Sequence, residues 1–407
     1  MPNTFKLHPL TLALFALAGE CALVSAHAQT APVKPAPAAA VQLDEVVVSG
    51  SRSATKLTET PVSIGSVSSE QWGQEKPKAI GEIIKRIPGV YWNDLGNEQH
   101  SMSIRQPVST NAVYQYLEDG IPIRPLGVFN HNSLNENNMN AAGGVEVVKG
   151  AASSLYGSNA VGGAINFLTK RPSKTPTGTL GLRYDNTDKF TRQDATASNT
   201  WGDLGLAFAQ YSSRRDSVNW QNYSGGQKDS LSVRADYDIN ASSWLRASYI
   251  STNLNSEMTG SLGETDYRNN PSKSINTFTY RKDKATRSNL AWEGETTDGG
   301  VTTATLFTRS NDHGQLPSYT IATRSGVTTG TINNNHVDSL GLDVKHDQEL
   351  AWRKAKLVTG VYIDRSKNTY VSDNIAIVRD AQGVNRSYTA SATQLGRRNY
   401  SADISND

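Results

Sequence analysis

The sequence predicts a small α+β domain followed by an antiparallel transmembrane β-barrel, and three observations lead there. Beyond residue 176, apolar and polar residues alternate with a period of two, as in strands with one apolar face. The connections between those segments run short and long by turns, like the turns and loops at the two ends of an outer-membrane barrel. Before residue 172 the texture is mixed, with β-branched runs, glycine pairs and one stretch at helical spacing. Composition agrees. With 37% hydrophobic and 19% charged residues and a mean hydropathy of -0.50, a bundle of membrane helices is excluded. A barrel is not, because its strands are apolar on one face only. The 40 basic and 38 acidic residues lack the basic surplus of a nucleic-acid binder. One cysteine cannot form an intramolecular disulfide, and the seven histidines show no zinc-like spacing.

The first 28 residues read as an export signal. Lys6 precedes the apolar run Leu10–Ala18, which is too short to span a bilayer, and Ala26-His27-Ala28 is a small-x-small cleavage site. Cleavage there starts the mature chain at Gln29 and removes Cys21. A lipid anchor on Cys21 is the rival reading, opposed by Glu20 where a small residue is needed. Residues 29–42, with Pro32, Pro35 and Pro37, form an extended tether.

In residues 43–172, Ile80, Ile83, Ile84 and Ile87 recur at helical spacing, so a helix is expected over Ala79–Arg86, ended by Pro88-Gly89. The alternation after residue 176 is clearest in 230–239, where Leu231, Val233, Ala235, Tyr237 and Ile239 share one face. Nine strands follow, near 177–185, 190–201, 203–215, 228–239, 243–253, 284–296, 300–311, 338–351 and 355–367. Trp201, Trp244, Trp292 and Trp352 fall near strand ends, where an interfacial girdle needs aromatics.

Several segments carry a resemblance. Asp44-Glu45-Val46-Val47-Val48-Ser49, within residues 43–52, resembles the TonB box of TonB-dependent outer-membrane receptors. Thr60-Pro61-Val62, Ile87-Pro88-Gly89, Met102-Ser103-Ile104-Arg105 and Glu118-Asp119-Gly120-Ile121-Pro122 follow in the order of that family's plug domain. The run from Gly144-Val145-Glu146-Val147-Val148-Lys149-Gly150 through Gly163-Ala164-Ile165-Asn166 to Lys170-Arg171-Pro172 resembles the end of the plug almost residue for residue. Gln106 and Ala151 depart from it, where the family usually has Gly and Pro.

The resemblance implies a plug over residues 53–172 and a barrel from 173 onward, in the outer membrane of a Gram-negative bacterium. It implies a monomeric barrel surrounded by outer-membrane lipid, with TonB as energising partner. A short β-branched run on a tether suits that partner physically, since it can add to a sheet edge through main-chain hydrogen bonds. The same run is also compatible with an ordinary first strand. Arg105 and Lys149 are the expected plug groups for carboxylates on the wall, with Glu146 as a local partner. Gly143, Gly144, Gly150, Gly157, Gly162 and Gly163 are expected where the plug backbone packs closely or takes φ > 0.

Arg124, Phe129, Asn130 and His131 lie where ferric-citrate-type receptors contact their ligand. A small ferric chelate, the commonest cargo of the family that the chain resembles and not a cofactor, is the expected ligand. Cobalamin, other metal chelates and carbohydrates remain alternatives, as does a passive porin or adhesin. His131 has no second ligand at metal-binding spacing. Nothing resembles an enzyme's catalytic constellation. About fourteen residues between leader and Leu43 leave no room for a signalling domain. Plugged barrels of this class have about 22 strands, so nine strands, with residues 397–407 read as an external loop, suggest the N-terminal part of a longer receptor.

Overall fold

The computed structural model describes residues 46–47, 49, 52, 55–96, 98–111, 113–125, 127–128, 132–157, 159–352, 355–381, 384–389 and 397–406. The expected leader and tether, with Asp44, Glu45, Val48, Phe129, Asn130 and His131, lie outside them.

The inner domain is built on a five-stranded sheet in the order Ile64–Val67, Ala142–Lys149, Gly163–Thr169, Tyr114–Glu118, Ile121–Pro122. Gly163–Thr169 and Tyr114–Glu118 run parallel and the other neighbours antiparallel. The strands read as nearly continuous apolar runs because both faces are covered. The isoleucines at helical spacing do form a helix, but a shorter one, Ile80–Ile84. Ile83 and Ile84 are fully buried, each burial contributing roughly 1.5–3 kcal/mol. They pack with Trp72, Met102, Tyr114, Val145 and Phe167. A second helix, Ser69–Glu75, escapes the isoleucine pattern. Its signal is a capping box, in which the Ser68 hydroxyl accepts from the Gln71 amide and the Gln71 side chain accepts from the Ser68 amide.

Four of the six glycines take positive φ: Gly144, Gly150, Gly157 and Gly163. At Gly163, with φ +148°, a Cβ would lie 2.4 Å from the Val148 carbonyl oxygen. Only glycine fits there without displacing the sheet backbone.

A twelve-stranded antiparallel sheet curves round this domain as a wall. All nine expected strands are present: Thr177–Asp185, Phe190–Trp201, Leu204–Arg215, Gly226–Asn240, Ser243–Glu257, Tyr280–Glu295, Val301–Leu316, Val327–Leu350 and Ala355–Arg379. Several extend further at their long-loop ends than alternation indicates, most of all the last two. There, segments such as Asn333-Asn334-Asn335 are polar on both faces yet remain paired. The segment read as an external loop is instead a strand, Arg397–Asn406, paired with Ala355–Arg379. Backbone pairing along the preceding strand holds it, and a ladder leaves no hydropathy signature.

Leu206, Val233, Leu290, Leu306, Leu340, Leu342, Val361 and Ile363 are exposed on the outer face and form an apolar band. Trp201 and Trp352 flank it at the short turns. Facing inward on the same strands are Ser230, Arg234, Arg281, Asp283, Arg287 and Asn311, all buried against the inner domain. A wall apolar outside and polar inside is the inverse of a soluble protein and suits a filled transmembrane barrel. No described helix is long and apolar enough to cross a membrane.

Candidate functional site

Ion pairs join the inner domain to the wall, and their polarity is mostly the reverse of the expected one. Glu98 meets Lys228 at 3.0 Å, Asp119 meets Arg246 at 3.4 Å and Arg234 at 3.7 Å, and Glu118 meets Arg287 at 3.0 Å. Arg287 also lies 2.5 Å from Glu136, which accepts in addition from Asn311 at 2.8 Å. Carboxylates on the plug thus face cations on the wall. Two plug cations run the other way: Arg52 pairs with Asp343, and Lys78 with Asp185 and Asp188. Burial and the proximity of Asp283 raise the Glu136 carboxyl to about 7 although Arg287 opposes the shift, and burial raises that of Glu118.

The residues expected to carry these contacts lie elsewhere. Arg105, at φ +55°, donates to Ser63 Oγ at 2.8 Å and to the Lys149 carbonyl at 3.4 Å. Lys149 donates to the Pro88 carbonyl at 3.2 Å. Both sit on an exposed face of the plug and brace its own turns. Glu146 is buried and accepts from the backbone N–H of Ser49 at 2.7 Å.

That bond belongs to an anchor for the segment expected to bind TonB. Val46–Val47 pairs with Thr55–Lys56, and the Val47 side chain enters a cluster with Ile64, Leu117, Val148 and Ala164. Ser49 is fully buried; its carbonyl accepts from the Tyr156 hydroxyl at 3.0 Å, and its hydroxyl from Asn166 Nδ2 at 3.0 Å. Burial raises the Tyr156 phenol above its ordinary range, so it remains a donor.

Arg124 turns back to donate to the Val128 carbonyl at 3.0 Å, closing its own loop. Its Nε is buried without a hydrogen-bond partner among the described residues, and burial lowers its pKa. The structure thus describes one of the four expected ligand residues, and that one braces a loop.

The long-loop end holds a second candidate, of whose residues sequence reading singles out only the loop aromatic Trp220. A cavity of about 340 Å³ separates the hairpin Val90–Gly96/Gln99–Ile104 from the wall; Trp92, Glu98, Phe190, Tyr211, Trp220 and Lys228 are among its lining residues. Asp188 ties its parts together. It accepts from plug Lys78 at 3.0 Å and from loop Trp220 Nε1 at 3.0 Å, and it lies 3.9 Å from Arg215. Burial works against the Lys78 ammonium, but Asp185 and Asp188 outweigh it and raise its pKa. No sequence pattern announces this convergence, because the residues come from separate strands and loops.

Residues 56–164 match the family model for the TonB-dependent receptor plug domain. The vitamin B12 transporter BtuB of Vibrio vulnificus (strain CMCP6) is 32% identical over 130 residues, 31% of this chain and 20% of that protein. Among solved structures, the ferripyoverdine receptor of Pseudomonas aeruginosa bound to ferripyoverdine aligns with a TM-score of 0.65 at 15% identity, over 85% of this chain and 47% of that one. The ferric citrate transporter FecA in its unliganded form aligns at 0.63 and 16% identity, over 86% and 52%. At such identities the likeness is one of fold. The chain spans about half the length of these solved receptors.

Proposed function

We propose, for a chain that carries the plug and adjoining wall of a TonB-dependent receptor of the Gram-negative outer membrane, that it takes part in importing a metal chelate with energy delivered by TonB. The observation that carries this reading is that the plug has two specialised ends. At the long-loop end stands the cavity with Trp92, Trp220 and Asp188. Toward the short-turn end, Arg52 meets Asp343 on the wall, and Val47 and Ser49 are held by the plug's own residues. A passive pore has no use for such an anchored strand.

The outer membrane has no nucleotide supply, so a closed plug needs work done on it from the other side. Asp44–Ser49 suits that task as a strand able to pair with a partner's sheet edge. Capture at the cavity would then precede release of the segment. A ferric chelate fits the cavity's mix of aromatic faces, cations and carboxylates. Cobalamin is the second reading, favoured by the 32% identity to BtuB, although 130 aligned residues are under a third of the chain.

The test is tryptophan fluorescence of the purified protein titrated with ferric citrate, ferric pyoverdine and cyanocobalamin. Saturable quenching by one of the iron chelates supports the first reading, and quenching by cyanocobalamin alone replaces it with the second. Deletion of Leu43–Ser49 should abolish energised uptake of the bound probe and leave its binding intact. Retained uptake, or an open channel in conductance measurements on the undeleted protein, overturns the proposal.

A further inference from the structure

The side chain of Asn166 hydrogen-bonds two parts of the plug at once. Its Nδ2 donates to Ser49 Oγ at 3.0 Å, and its Oδ1 accepts from the Gly120 backbone N–H at 2.9 Å. The orientation of the amide is determined by chemistry, since a backbone N–H can only donate and must face the oxygen. Asn166 is almost wholly buried, so its bond to the fully buried Ser49 has no water as a ready substitute.

On one side lies the anchored segment. On the other lies the Asp119–Gly120 turn, with φ of +47° and +86°. This turn joins Tyr114–Glu118 to Ile121–Pro122 and leads into the loop that Arg124 closes onto Val128. Asp119 accepts from the Thr169 amide at 3.0 Å and hydroxyl at 2.5 Å. It also faces the wall cations Arg246 and Arg234. Displacing the turn pulls Gly120 away from Asn166. A leucine offers no polar atom, and an aspartate offers two acceptors where one donor and one acceptor are needed.

We propose that Asn166 is a positioning residue that makes the hold on Ser49 depend on the Asp119–Gly120 turn, and through it on the loop that Arg124 closes and on the wall arginines. This rests on the reading that the segment must be released for transport, but the coupling can be measured without any ligand.

The readout is amide hydrogen exchange of Ser49, whose N–H donates to Glu146, in the full chain in outer-membrane vesicles. Asp119→Asn, which removes the charge that faces Arg234 and Arg246, should speed Ser49 exchange about tenfold, the scale set by one hydrogen bond to a charged group. Asn166→Leu alone should speed it about threefold to tenfold. In the Asn166→Leu background, adding Asp119→Asn should change it by less than about twofold. Ser49→Ala keeps the backbone anchors, removes the hydroxyl, and should uncouple the turn in the same way. It decides the matter alone if Asn166→Leu does not fold. The amide of Val147 in the central sheet should exchange unchanged throughout, whereas a merely structural role would speed both. The coupling is overturned if Asp119→Asn leaves Ser49 exchange unaltered, or speeds it equally in the Asn166→Leu and Ser49→Ala backgrounds. A coupled Ser49 in a protein that binds none of the three probes would sink the uptake reading and leave the coupling standing.

Discussion

Arg287→Met is the sharpest perturbation of plug docking. The guanidinium lies 2.5 Å from Glu136 and 3.0 Å from Glu118, with every side chain 4–7% exposed. Removing one partner of such a buried set costs about 3–5 kcal/mol, because the charges left behind have neither water nor a counterion. Two carboxylates share this one cation, so the loss belongs at the upper end. Protonation relieves part of it, since Glu136 already titrates near 7. The deficit should therefore be about 5 kcal/mol at pH 8.5 and visibly smaller at pH 5.5. Urea titration with limited proteolysis of the plug inside the intact wall reads this directly. Glu118→Leu/Glu136→Leu/Arg287→Met together should return most of the loss, as apolar replacement of a whole buried ionic set often does. Arg86→Met offers the contrast, because its pair with Glu75 is largely exposed and should be worth under about 1 kcal/mol. If Arg287→Met costs no more than Arg86→Met, the assignment of docking strength to this cluster is wrong.

Two further outcomes follow from particular groups. The Glu136 carboxyl is raised in the folded protein to about 7, so its contribution is complete below its unfolded pKa and is lost as pH rises through 7. Plug docking should weaken from pH 5 to pH 8 by on the order of 3 kcal/mol, and Glu136→Gln should flatten that slope in the same urea assay. Gly163→Ala forces a Cβ toward the Val148 carbonyl at a positive φ. It should destabilise the plug by at least about 2 kcal/mol, measured as a lowered plug melting temperature with the wall transition unmoved.

The wall was legible where its two faces meet different solvents and illegible where they do not. Leu231, Val233 and Ile239 alternate with polar residues because one face meets hydrocarbon and the other a polar interior. Beyond the apolar band both faces of Val327–Leu350 carry polar residues, so Asn333 and its neighbours offer no period to count, although the ladder continues through them. The helix Ser69–Glu75 was readable from Ser68 and Gln71 but was overshadowed by the isoleucine pattern beside it.

The charge pairs failed for a different reason, and it bears on how the plug is held. Arg287 and Glu118 are 169 residues apart, and with 40 basic and 38 acidic residues composition cannot say which sign sits on which surface. Placing carboxylates on the plug and most of the cations on the wall has a mechanical consequence. The wall is a continuous ladder, so Arg234, Arg246 and Arg287 are fixed points. Their partners Glu118 and Asp119 adjoin Gly120 in the turn that also donates to Asn166. Three wall cations thus converge on one three-residue segment of the plug. Docking at that segment and the anchoring of Ser49 are linked through Asn166, so displacing Glu118–Gly120 by a bound ligand or a changed pH loosens the hold on Ser49.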